Sequence, residues 1–135
     1  MRQGLRIAKV QYDEMVAHCQ REYPKEACGI LAGKNGIVER VQQMVNLDNS
    51  SISYQMDSAG QLRVMKQMRE QHHEMLAIYH SHTASEAHPS PVDVSLAVYP
   101  EVSYVLVSLQ DRQRPVVKSY QIQGTTVTEE EVFKV

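Results

Sequence analysis

Residues 80–93 read His-Ser-His-Thr-Ala-Ser-Glu-Ala-His-Pro-Ser-Pro-Val-Asp. Imidazole and carboxylate groups are metal-binding side chains, and here they recur at a useful spacing. His80 and His82 follow the apolar run Met75–Tyr79, which reads as a strand. Successive strand residues point to opposite faces, so positions 80 and 82 share a face and can grip one ion. Asp93 adds a carboxylate from the start of the next segment. Two imidazoles and one carboxylate leave a tetrahedral zinc one open position for water, which suits a hydrolytic rather than a structural site. Each residue also has a purely structural reading. The two histidines can simply close a strand, and Ser90-Pro-Val-Asp93 is close to a capping box, with Ser90 as N-cap and Asp93 reaching back. Capping and ligation can coexist, because a place in the first helical turn also orients Asp93. A hydrolase further needs a general base that is not a ligand. One candidate is Glu26, between Pro24 and the buried-looking run from Ala27 to Leu31.

Together the two segments resemble the JAMM (MPN-plus) metalloprotease family. Its pattern is an upstream Glu, then His-x-His, seven residues, Ser, two residues and Asp. The chain matches at Glu26, His80, His82, Ser90 and Asp93, with Thr83 to Pro89 as the seven intervening residues. The stretch Glu-Ala-Cys-Gly-Ile-Leu-Ala-Gly at 26–33 is similar to the family's first core strand, and the order of segments suits the fold as far as about residue 122.

The resemblance implies an α/β fold, a mixed β-sheet sandwiched by helices (α/β/α), similar to the cytidine-deaminase fold. It implies one zinc ion per chain, held by His80, His82 and Asp93. Glu26 would take a proton from the attacking water and pass it to the leaving nitrogen, and the Ser90 hydroxyl would help stabilise the oxyanion. Family members cut peptide or isopeptide bonds after the C-terminal Gly-Gly of ubiquitin or ubiquitin-like proteins. Compact prokaryotic members act on sulfur-carrier proteins, and one such reaction releases cysteine. A Gly-Gly tail would bind extended along a strand edge, for which residues 52–56 are the expected position. The alternative is a non-catalytic MPN-type scaffold that recognises such tails, although no ligand position is lost here.

Bulk properties narrow the field. At 135 residues the chain is expected to form one domain, 1–135. Hydrophobic content of 42% and charged content of 22% fit a soluble globular protein. The net charge of −2, with both signs mixed along the chain, argues against nucleic-acid or membrane binding driven by bulk charge. No apolar run approaches the roughly 20 residues that span a bilayer. The first residues lack the pattern of a signal peptide, so a cytoplasmic protein is expected. The oligomeric state is left open between monomer and homodimer.

The elements that must position these groups can be placed by periodicity. Leu5–Val10 alternates and predicts a strand. Apolar positions at 12, 15, 16, 19 and 23 predict a helix over 11–23 that Pro24 ends. Strands are expected at 29–33 and 37–45, joined by the Asn35-Gly36 hairpin turn, and another at 52–56. The intervening polar stretch 46–51 is expected to be exposed. A second helix is predicted from Ser58, as its cap, to about His73, with Leu62 and Met65 inward. The metal-bearing strand spans 75–82, a short helix runs from Ser90 to about Val98, and strands follow at 102–109 and 116–123. The tail from Thr125 is read as a short strand or a surface segment.

The remaining candidates carry weaker signals. Cys19 shares helical spacing with core positions. Cys28 is read as a small buried residue, with approach to the zinc as the functional alternative. His18 is placed on the polar side of its helix, and His72-His73 at a helix end where positive charge suits the dipole. His88 lies in the loop beside the ligands, where it could shape that loop, touch substrate or close the site as a fourth ligand. Glu22, Glu39, Glu70, Glu74 and Glu86 are read as solvated surface. A zinc nucleoside deaminase would need His-x-Glu and a later Pro-Cys-x-x-Cys, and neither is present.

Overall fold

The computed structural model describes residues 4–51 and 53–135. Ten elements follow in order: β1 (Gly4–Ile7), α1 (Lys9–Glu22), β2 (Cys28–Lys34), β3 (Ile37–Met44), α2 (Ser58–Glu70), β4 (Glu74–His82), α3 (Pro91–Ser95), β5 (Ser103–Ser108), β6 (Val116–Gln123) and β7 (Thr126–Lys134). The strands pair in the order β1-β3-β2-β4-β5-β6-β7, and β7 returns to pair with β1, so the sheet closes on itself. The pairings β1–β3, β1–β7 and β4–β5 are parallel and the others antiparallel, giving the expected mixed sheet.

Alternation along the central strands explains how helices cover both faces. Leu31, Tyr79, Val105 and Val107 point to one side, where they bury Met15 and Cys19 of α1. Ile30 and Ala32 point to the other and meet Met68 of α2. Ile78, Tyr104 and Leu106 share that second side and pack with Val94 and Ala97 around α3. The central strands β2, β4 and β5 are buried along almost their whole length, as their apolar composition demands. Among the described residues, no helix is long and apolar enough to cross a membrane.

Turn chemistry is where local sequence speaks most clearly. Asn35 and Gly36 both take positive φ, 54° and 75°, as the twist of the β2–β3 hairpin requires. Helix α1 stops at Glu22, with Tyr23 extended ahead of Pro24.

Several expectations need correction. The first strand ends at Ile7, because the chain turns into α1 at Lys9 and leaves Val10 exposed. Helix α2 is capped by Asp57, whose carboxylate accepts the Ala59 N–H at 3.2 Å, and Ser58 is its first helical residue. It ends at Glu70, and the four-residue steps Gly60, Val64 and Met68 face inward while Leu62 is exposed. Residues 53–56 form no strand beyond a single bridge between Asn46 and Met56, and Ile52 lies outside the described residues. Helix α3 spans only Pro91–Ser95. The tail, by contrast, is a full nine-residue strand, β7, that completes the sheet.

Candidate metal and active site

The candidate residues converge at one rim of the sheet, where β2 begins and β4 and β5 end. His80 and His82 are both buried at the end of β4 and share its face, as the alternation requires. Asp93 enters from the first turn of α3. Ser90 caps that helix: its Oγ accepts the Asp93 N–H at 3.1 Å, and Asp93 Oδ2 accepts the Ser90 N–H at 2.9 Å. The capping box therefore forms in full and aims the Asp93 carboxylate at the histidines.

His80 Nε2 lies 3.2 Å from Asp93 Oδ1, and His82 Nε2 lies 3.0 Å from Asp93 Oδ2. One donor atom from each of the three residues falls within 4.8 Å of the other two. His82 Nδ1 sits 2.9 Å from the Glu86 carbonyl oxygen, which only accepts, so this nitrogen carries a proton and Nε2 is the atom left for a metal. The buried His80 Nε2 has no hydrogen-bond partner despite its nearness to Asp93. A buried polar atom without a partner is costly, and a cation between two imidazoles and a carboxylate would satisfy it. The donor set thus fits a metal ion.

The electrostatics fit as well. Burial alone would push Asp93 up, but the adjacent His80 and His82 imidazoles and the Ser90 N–H outweigh it and hold the carboxylate well below its usual range. Burial lowers His80, keeping the imidazole neutral and ready to ligate. His82 is also opposed by burial, yet Asp93 and the Glu86 carbonyl raise it. A metal arriving at Nε2 would replace that proton.

Glu26 is buried, not exposed as an ordinary carboxylate would be. Burial pushes it up to about 7, with His82 pulling down and Asp93 pushing further up. Glu26, His82, Ser90 and Asp93 line one cavity of about 240 Å³, together with Ser51, Thr83, Ala84 and Ser85. Because Ser90 Oγ accepts its capping bond, its own O–H remains a donor at this cavity.

The backbone around Glu26 is fixed by residues that the sequence reading passed over. Ser81, between the two histidines, points to the opposite face; its Oγ accepts the Ala27 N–H at 2.8 Å and its N–H donates to the Ala27 carbonyl at 3.0 Å. Asn46 was expected to be exposed with the rest of 46–51, but it is half-buried. Its side-chain amide donates to the carbonyls of Glu26 and Ser53, and its Oδ1 accepts from Asp48 and Gln55. Tyr54 stacks on His80 with ring centroids 4.4 Å apart. An Asn opening a polar run is a turn signal, but nothing in the sequence told which carbonyls it would reach.

Other candidates settle differently. Cys28 pairs in register with His80 but is buried among Ile30, Ala32 and Met44, and burial pushes its thiol up to about 12. It lies outside the metal-binding set found among the described residues, as does His88, which is exposed with its ring edge-on to Tyr120. Cys19 is core as expected. His18 is buried rather than polar-facing, with Nδ1 2.6 Å from the Tyr79 hydroxyl. Helix α2 ends before His72 and His73, and His73 lies 3.8 Å from Glu39. The five glutamates read as surface are all exposed.

Comparison with known proteins agrees with this fold. Residues 8–123 match the family of prokaryotic homologs of the JAB domain, Prok-JAB. The chain belongs to that family. It is 48% identical over 120 residues to the CysO-cysteine peptidase of Mycobacterium tuberculosis, covering 87% of this chain and 82% of that protein. A solution structure of a protein from Desulfitobacterium hafniense is 42% identical, with a TM-score of 0.87 over 96% of this chain and 91% of the other. A JAB1/MPN domain protein from Archaeoglobus fulgidus shares the fold at 17% identity, with a TM-score of 0.67 and 98% of both chains covered.

Proposed function

We propose that residues 1–135 form one zinc peptidase domain that hydrolyses the bond after the C-terminal Gly-Gly of a ubiquitin-like or sulfur-carrier protein. The observation that carries this reading is the shared cavity, in which a buried Glu26 carboxylate faces His82, Asp93 and the Ser90 hydroxyl. His80, His82 and Asp93 hold one zinc per chain. A bound zinc supplies the Lewis acidity that polarises a carbonyl and makes water acidic near neutral pH.

The chain's own groups then divide the work. Glu26 takes the proton of the attacking water at its carboxylate and delivers it to the leaving nitrogen. Its raised affinity for protons, a result of burial, matches it to both steps near neutrality. The Ser90 O–H donates to the oxygen that gains charge; removing a comparable donor elsewhere costs about 3–4 kcal/mol of barrier. Asp93 and the Glu86 carbonyl orient the imidazoles, while Ser81 and Asn46 together hold the peptide unit that follows Glu26.

The cavity walls are small and hydroxyl-rich, which favours a glycine tail and a compact released residue. The mycobacterial relative's name makes cysteine the first residue to test. The test is intact-mass spectrometry of sulfur-carrier proteins extended beyond Gly-Gly by one residue, incubated with zinc-loaded protein and with Glu26→Gln. Loss of one residue with wild type only is the expected result. An uncut carrier that still binds a zinc-loaded, folded protein would favour the scaffold reading instead.

A further inference from the structure

The loop between β4 and α3 presents three successive carbonyls to three different side chains. Ser85 O accepts the Ser108 hydroxyl at 2.6 Å, Glu86 O faces His82 Nδ1 at 2.9 Å, and Ala87 O accepts the Tyr120 hydroxyl at 2.5 Å. Ser108 ends β5 and Tyr120 sits mid-β6; both are buried, and neither belongs to the metal-binding set. We infer that Ser108 and Tyr120 are positioning residues for His82, acting through the loop backbone.

The argument is geometric. A peptide unit is planar, so fixing the carbonyls of residues 85 and 87 leaves the one between them little freedom to rotate. That middle carbonyl sets the His82 tautomer by accepting Nδ1–H, and it is fixed further by the His88 N–H at 2.8 Å. The ends of the loop are anchored, with the Thr83 hydroxyl donating to Ser51 O and Ala87 and Pro89 buried, but Ala84, Ser85 and Glu86 between them are exposed. Without the two hydroxyls, the Glu86 carbonyl could turn toward water and the His82 ring would lose its fixed direction. The Tyr120 ring is placed for this by packing with Ile78, Leu106 and Ile122, so the phenol oxygen arrives at Ala87 on a rigid arm.

This inference rests on the reading of His82 as a metal ligand, and its test is metal binding rather than catalysis. Zn2+ affinity would be measured on metal-free protein by competition with a chromophoric chelator. Wild type would be compared with Tyr120→Phe, Ser108→Ala and, as control, Ser119→Ala. Ser119 is also a buried hydroxyl on β6, but it bonds Glu130 and does not reach the loop. Loss of a partner that orients a metal-binding histidine typically weakens affinity about 10–100-fold. We expect about tenfold weakening in Tyr120→Phe and Ser108→Ala and a change under about twofold in Ser119→Ala, with the Co2+ absorption spectrum altered only in the first two. Equal Zn2+ affinity in wild type and in either loop variant, with far-UV dichroism intact, would overturn the inference. Failure of the wild type itself to bind Zn2+ would instead overturn the metal reading beneath it. If Tyr120→Phe does not fold, Ser108→Ala decides alone.

Discussion

At the scale of single residues, burial makes Glu26 worth testing in two independent ways. The folded chain keeps a proton on this carboxyl that the unfolded chain releases near 4.5, since burial pushes it up to about 7. Its effect on stability is therefore nil below the unfolded value and increasingly unfavourable as pH rises toward the folded one. Glu26→Gln should stabilise the metal-free protein by about 2 kcal/mol near neutral pH and not at all in mild acid, as read by urea unfolding at several pH values. The same substitution should abolish hydrolysis. In the wild type the rate should rise with pH as Glu26 ionises, and the positive charge of bound zinc should move that midpoint downward. Asp93 allows a second separation. Asp93→Ala removes both a proposed ligand and half a capping box, so it should lose zinc and also about 1 kcal/mol of metal-free stability. His80→Ala should lose zinc without the capping penalty, because an unpartnered buried nitrogen leaves with it.

At the scale of elements, legibility followed the range of the physics. The hairpin at Asn35-Gly36, the stop before Pro24 and the buried strands β2, β4 and β5 are decided by neighbours in sequence, and all were readable. His18 was not, because the Tyr79 hydroxyl that offers it a partner inside the fold comes from a strand far along the chain. The inward face of α2 was half legible: Met65 packs against the core as expected, but Leu62 is exposed and the sheet meets the helix through Gly60, Val64 and Met68 as well. At the site, the convergence of His80, His82, Ser90, Asp93 and Glu26 was legible through a family motif. Ser81, Asn46 and Tyr54 were not, since each acts on groups that only folding brings near. One element-level prediction follows from the close approach of β2 and β4. A Cβ added at Gly29 would sit 2.3 Å from the Tyr79 ring. Gly29→Ala should therefore push that ring off His18 and cost about 1–3 kcal/mol, measurable as a lower thermal midpoint with the His18–Tyr79 hydrogen bond lost in NMR spectra.

At the scale of the whole molecule, the sheet closes only through β7, whose pairing with β1 joins residues from opposite ends of the described chain. Such a contact closes a loop of nearly the whole described chain, and distant pairings of this kind slow folding. Until residues 126–134 dock, β1 and β6 each keep an open edge able to pair with another molecule. A chain in which β7 is not yet docked is thus exposed to strand-exchanged oligomers. Replacing Val132, which packs inward from β7, with Asp should lengthen that interval, and refolding yield should fall with protein concentration more steeply than equilibrium stability alone would explain.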